Sequence, residues 1–168
     1  MKKTLIVIGL VIVVATGCFF FWRTPEKKEV AKLTPPIVNQ FPSMTFIMTD
    51  GSFRSAKDLA DSSILFLYFP DCDHCQRQAT EISKNLKAFE KYSIWFISTA
   101  TYQDIEKFAR AYKLIGYKNL HFVRTETQDV VSNFGAIPTP SWYIYSDNKK
   151  FVKAFNGETK IEEIIKVL

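Results

Sequence analysis

The sequence predicts an α/β three-layer domain, a central sheet flanked by helices, behind an apolar N-terminal segment. Three observations predict it. Continuous apolar runs alternate with stretches in which apolar residues recur every three or four positions, and the chain closes with a hairpin and an amphipathic helix. The composition is that of a chain with a core: 47% hydrophobic and 15% aromatic, with six Gly and seven Pro in 168 residues. That balance excludes a disordered or collagenous polymer, and the length admits one domain plus an anchor or tail.

Leu5 to Trp22 reads LIVIGLVIVVATGCFFFW without a charge, with Lys2 and Lys3 before it and Arg23 after it. Eighteen residues rising about 1.5 Å each reach about 27 Å, close to the roughly 30 Å of bilayer hydrocarbon. Residues 1–23 are therefore expected to form a membrane signal-anchor. Ala15-Thr16-Gly17-Cys18 also resembles a lipoprotein signal with Cys18 as the lipidated residue. The apolar run continues through Phe19 to Trp22, where such signals turn polar, which favours the uncleaved anchor. Basic residues on both flanks leave the orientation open. Residues 24–36, TPEKKEVAKLTPP, read as an extended tether, and the folded domain is expected over 37–168.

Within the domain, Thr45 to Met48 alternates as a short strand, Asp50-Gly51-Ser52 is a turn, and Ser55 to Leu59 suits a helical turn. Ile64 to Phe69 is an apolar run stopped by Pro70, as expected of a central strand buried on both faces. The period then changes: Ala79, Ile82, Leu86 and Phe89 mark one face of a helix running from Asp73 to Tyr92. Ile94 to Ser98 reads as a second buried strand, Gln103 to Leu114 as a second helix, Leu120 to Val123 as a short strand and Asp129 to Phe134 as a brief helix. Beyond the prolines, Trp142 to Tyr145 and Phe151 to Phe155 form a hairpin around Ser146-Asp147-Asn148-Lys149, and Lys160 to Leu168 a final helix.

The formal charge of +5 belongs to the N-terminus: residues 1–28 hold five basic residues and one acid, leaving 17 basic against 16 acidic in the rest. A nucleic-acid partner is not expected. Three cysteines are too few for a disulfide-stapled scaffold, no second Cys pair exists for a zinc ribbon, and with only two histidines, His74 and His121, no structural metal site is expected. His121 reads as a strand residue, Trp95 and Trp142 as core, and Glu162 and Glu163 as a solvated helix face.

Cys72-Asp73-His74-Cys75 falls where a buried strand turns into a helix. Three residues apart on the first helical turn, the two sulfurs share one side, within reach of a small-ring disulfide. Free N–H groups and the helix dipole favour a thiolate on Cys72; a protonated His74 adds to that, and Asp71 and Asp73 oppose it. Cys75, one turn inside, is placed to attack a mixed disulfide. Haem attachment needs His after the second Cys, where Gln76 stands. The Pro-x-x-x-Thr-x-x-Cys pattern of peroxide-reducing thiol enzymes is missing, because Leu65 and Phe69 occupy its Pro and Thr positions. A merely structural disulfide closing so small a loop would stabilise little.

The strand Ile64 to Phe69, the Cys72–Cys75 motif opening a long helix, and Thr139-Pro140-Ser141 before a strand and hairpin together resemble the thioredoxin superfamily, in particular its membrane-tethered TlpA/ResA-like thiol-disulfide oxidoreductases. An upstream Phe46-x-x-x-Asp50-Gly51 hairpin with Asp58-Leu59 and the extra helix and strand from Gln103 to Val123 look like that branch. The resemblance covers about 37–168 and implies a thioredoxin-like three-layer fold, a mixed sheet flanked by helices. It implies Cys72 as nucleophile and Cys75 as resolving thiol, their redox-active disulfide, and Asp71, Asp73, His74, Thr139 and Pro140 as support. It also implies a cis-proline facing the cysteines. Pro138 and Pro140 are both available, and the strand register favours Pro140, with Thr139 as the substrate-contacting neighbour. Two residues depart from the family: Asp71 stands where a Trp usual in it precedes the first Cys, and Phe66 where many members carry a buried carboxylate. A His before the second Cys resembles the oxidants of the DsbA kind.

The expected function is extracytoplasmic, membrane-anchored thiol-disulfide exchange with protein clients and a redox partner protein, and with no organic cofactor or metal. An exchange disulfide beside the cytosolic thiol pool gains nothing from a tether. A redox-inert thioredoxin-fold binding or chaperone module is the alternative from another class, and a thiol peroxidase is a third.

Overall fold

The computed structural model describes residues 40–59 and 62–168. The expected anchor over 1–23 with Cys18, the tether over 24–36 and the first residues of the expected domain lie outside them. Among the described residues no helix is long and apolar enough to cross a membrane.

Seven strands form one mixed sheet in the order β2-β1-β5-β4-β3-β6-β7. β1 (Thr45–Ile47) and β2 (Phe53–Ser55) make an edge hairpin. Its turn is held by Asp50, whose Oδ1 accepts from the Ser52 N–H at 2.9 Å and from its hydroxyl at 2.6 Å, and Gly51 takes the positive φ of 80° that glycine adopts without strain. This is the hairpin that the resemblance implies around Asp50-Gly51, although exposed Phe53 and Arg54 of β2 carry no alternation that marks a strand.

β3 (Ser63–Leu67) is buried along its whole length. It pairs in parallel with β4 (Ser93–Ser98) and antiparallel with β6 (Ser141–Tyr145), so it sits at the centre of the sheet. β5 (Leu120–Arg124) continues the parallel part, and β7 (Phe151–Asn156) closes the other edge. The helices are α1 (Asp73–Lys84), α2 (Tyr102–Ala111), α3 (Thr127–Phe134) and α4 (Ile161–Ile165).

The steps β3-α1-β4 and β4-α2-β5 move the same way across the sheet, which puts both helices on one face. The core agrees: Cys75 and Ala79 of α1, Phe108 of α2 and Ile161 and Ile164 of α4 pack in one cluster with Ile64, Phe66 and Tyr68. Leu65 and Leu67 point to the opposite cluster, with Phe134 of α3 and Phe46 of β1. This is the alternation expected of a strand buried on both sides.

The first helix is shorter than its apolar spacing predicts. It ends at Lys84, where Asn85 Nδ2 donates to the Glu81 carbonyl at 2.9 Å and satisfies a group the helix leaves free. The apolar face continues through a separate 3₁₀ turn, Leu86–Phe89, which buries Phe89. The last helix is regular only over Ile161–Ile165, and the remaining residues form a tighter turn that the Tyr92 hydroxyl anchors by donating to the Leu168 carbonyl.

Candidate functional site

Pro70 cannot continue the β3 ladder, and the chain turns as Cys72 N–H donates to the Phe69 carbonyl at 3.2 Å. Cys72 then occupies the N-cap of α1 in extended conformation, and its carbonyl accepts the first helical bond from Gln76 at 3.0 Å. Gln76 Nε2 donates back to the Pro70 carbonyl at 3.0 Å, locking the strand-to-helix corner. The Cys72 side chain does not cap the helix. Its thiol is half-buried and points across to the Thr139 carbonyl, 3.7 Å from Sγ.

Thr139 arrives there through the sheet. Phe66 lies opposite Trp142 and Leu67 opposite Ser141, so the residues before Ser141 overhang the end of β3. The Thr139–Pro140 bond is cis, and Pro138 is preceded by an ordinary trans bond. Ser141 Oγ donates to the Pro138 carbonyl at 2.5 Å and fixes the turn. Cys72, Cys75, Thr139 and Pro140 are thus brought together at the end of β3.

The two sulfurs differ. Cys75 is fully buried, and burial first, then the hydrogen bond to the Cys72 thiol, pushes its own thiol up to about 12. Below it Phe66 fills the space against Trp142 at 4.5 Å and Phe96 at 5.2 Å. Among the described residues no carboxylate is buried. A polar group on this face is the Tyr68 phenol, buried without a hydrogen-bond partner and held protonated by burial and by its proximity to Cys75.

His74 turns outward. Its Nδ1 lies 2.7 Å from Glu158 Oε2, and Arg77 grips the same carboxylate through Nε at 2.9 Å and Nη2 at 2.7 Å. Arg77 Nη2 also lies 2.7 Å from His74 Nδ1, but one nitrogen cannot both donate to the carboxylate and accept from the guanidinium; the carboxylate contact needs Nδ1–H. Arg77, then His74, hold the Glu158 carboxyl down at about 2. Asp71 and Asp73 are exposed, and Asp71 borders an open groove of about 640 Å3 lined by Phe69, Pro70, Thr99, Lys107 and Tyr112.

Residues 37–154 match the AhpC/TSA family. The chain belongs to that family. No curated protein matches the sequence. Its fold is thioredoxin-like, as in a secreted Mycobacterium tuberculosis disulfide oxidoreductase homologous to Escherichia coli DsbE, which it matches with a TM-score of 0.63 at 16% identity, over 74% of this chain and 93% of that one. StoA from Bacillus subtilis matches with a TM-score of 0.59 at 14% identity, over 77% and 98%. A domain of a possible thiol-disulfide isomerase from Cytophaga hutchinsonii matches with a TM-score of 0.63 at 21% identity, over 79% and 91%. The fold is thus one that thiol-disulfide oxidoreductases share.

The sequence reading missed Arg77 and Glu158. Glu158 lies 84 residues from His74, in the loop after β7, and no local spacing joins them. His121 stacks on Trp95 at 4.1 Å, and its imidazole is held below the usual range by burial and then Arg54. Trp142 and Trp95 are buried core residues, and Glu162 and Glu163 are solvent-facing. Among the described residues no group of His, Cys, Asp and Glu is arranged to hold a metal ion.

Proposed function

We propose that this chain is an extracytoplasmic, membrane-anchored thiol-disulfide oxidoreductase that works through Cys72 and Cys75. The observation that carries the reading is the asymmetry of the two sulfurs: one half-exposed at a helix N-terminus beside the Thr139 carbonyl, the other buried one turn deeper. The Cys72 thiolate attacks a client disulfide, the Cys72–client bond forms as the client S–S bond breaks, and the departing client sulfur takes up a proton. Cys75 then gives up its proton and attacks Cys72. The second client thiol leaves, and the two electrons of the Cys72–Cys75 pair have reduced the client. The same steps reversed oxidise a dithiol client. Thr139 offers its backbone to an extended client segment, and the groove beside Asp71 gives that segment room. The disulfide chemistry in the names of the similar structures, and the secretion named for one of them, support the reading.

The test is insulin reduction with dithiothreitol, with mixed-disulfide trapping in cells. Wild type should turn over, Cys72→Ser should lose all exchange, and Cys75→Ser should accumulate clients bound through Cys72. Peroxide consumption with a thiol donor, in place of insulin turnover, would make the chain a thiol peroxidase; neither activity would leave the redox-inert binding module. For location, a topology reporter fused after Leu168 should be active only on the extracytoplasmic side, and cytoplasmic activity would overturn that part.

A further inference from the structure

Glu158 sits in a loop whose backbone is pinned on both sides. Before it, the Gly157 N–H donates to the carbonyl of Pro140 at 2.8 Å. After it, the Thr159 N–H donates at 2.9 Å to Oε1 of Gln78, a fully buried side chain on α1. Gly157 has a φ of 90° with open space where a Cβ would stand, so conformation and not crowding selects glycine there. The loop is therefore tied to the turn that faces Cys72 and to the helix that Cys72 begins. Its carboxylate receives two donors from Arg77 and one from His74.

These side chains are well exposed, 63% for His74, 53% for Arg77 and 35% for Glu158, and ion pairs so placed add little to stability. The cluster also lies within electrostatic reach of Cys72, which acts on Arg77. The Cys72 sulfur meets the Thr139 carbonyl and Cys75, while the ring of His74, two residues on, is drawn to the outer face of α1. Of the other charged groups here, Glu81 pairs with Lys84, Asp73 acts on Arg77 from the first turn, and Lys160 and Glu162 line the hollow beside Glu158.

We propose that Glu158 is a positioning residue for thiol-disulfide exchange: by fixing His74 on the outer face of α1, it keeps the positive charge of that ring from stabilising the Cys72 thiolate and holds the cysteine pair on the reducing side. A stabilised thiolate favours the dithiol over the disulfide and makes the pair a stronger oxidant. Glu158 works against that, so the histidine of the motif does not act here as it would unpaired. This rests on the exchange reading of the same site.

The test uses the full-length chain in detergent, equilibrated with reduced and oxidised glutathione. Two glutathione thiols reduce the Cys72–Cys75 disulfide, giving the dithiol and one oxidised glutathione, so the ratio of forms reads the equilibrium directly. Glu158→Gln should shift it toward the dithiol about three- to tenfold and speed alkylation of Cys72 below pH 7 by a similar factor. In a His74→Ala background the same substitution should shift it less than about twofold. An unchanged or opposite shift in the single variant overturns the proposal, as does an equal shift in both backgrounds, which would assign the effect to Arg77 or to net charge. If the wild-type pair does not equilibrate with glutathione at all, the exchange reading itself fails and takes the proposal with it.

Discussion

On the face covered by α1, α2 and α4, the central strand presents Ile64 and Phe66 and, just past its end, Tyr68; on the face covered by α3 it presents Leu65 and Leu67. Both faces are equally dry. They differ at the strand's C-terminal end, where the first face meets Cys75 and the start of α1, while on the second Leu67 lies opposite Ser141. A reactive helix needs a rigid floor and an open end, and one strand supplies the floor with alternate residues while its last residues supply the opening.

The comparison breaks most readily with large-to-small substitutions. Phe66→Ala removes a ring packed on Trp142, Phe96 and Tyr68 and should cost about 3 to 5 kcal/mol, measured by urea melts. It should also slow insulin turnover in the fraction still folded, because Phe66 belongs to the cluster in which α1 packs. Leu65→Ala, on the other face opposite Tyr143, should cost about 2 to 4 kcal/mol and leave turnover per folded molecule unchanged. Equal slowing by both would show that the faces are not separable.

Those two faces were largely legible in the sequence. The unbroken apolar run of β3 and the change of period at Asp73 place a buried strand against a helix, and Cys72-x-x-Cys75 falls on the junction. Thr139-Pro140-Ser141 stands out because prolines abut an aromatic strand. The illegible parts are of two kinds. The end of α1 depends on one side chain of Asn85 bonding a backbone carbonyl, while the apolar spacing runs on undisturbed through the next turn. The Glu158 cluster depends on the sheet bringing the loop after β7 to the first turn of α1, a contact that charge at either position alone does not announce.

Alkali should weaken the first face before the second. In the reduced protein the Cys75 thiol is held up at about 12, against roughly 8.5 in an unfolded chain. Above the unfolded value the unfolded state releases this proton and the folded state keeps it, so stability falls as pH rises from about 9 toward 12, with a slope approaching about 1.4 kcal/mol per pH unit. Tyr143, on the second face, is held up at about 12, and Tyr145 is raised by burial too, so both add only above about pH 10, where unfolded tyrosine begins to ionise. Urea midpoints at pH 8, 9 and 10 for reduced wild type and Cys75→Ala check this. The wild type should lose ground to the variant across that range; parallel curves would mean that Cys75 ionises in the folded state as readily as in the unfolded one.

The smallest expected effect sharpens the comparison at its boundary. Tyr68 is the last inward residue of the first face, its hydroxyl buried and unpartnered, its ring 4.6 Å from Phe108 and 5.7 Å from Phe66. A buried hydroxyl without a partner costs the desolvation of its dipole, and deleting it keeps the ring packing intact. Tyr68→Phe should therefore leave the urea midpoint unchanged or raise stability by up to about 1 kcal/mol, in the reduced and oxidised protein alike. A loss of more than about 1 kcal/mol confined to the reduced form would mean that the phenol hydrogen bonds the Cys75 thiol in solution. Tyr68 would then belong to the chemistry of the pair and not to its floor, and the boundary between the two would move one inward-facing residue back, to Phe66.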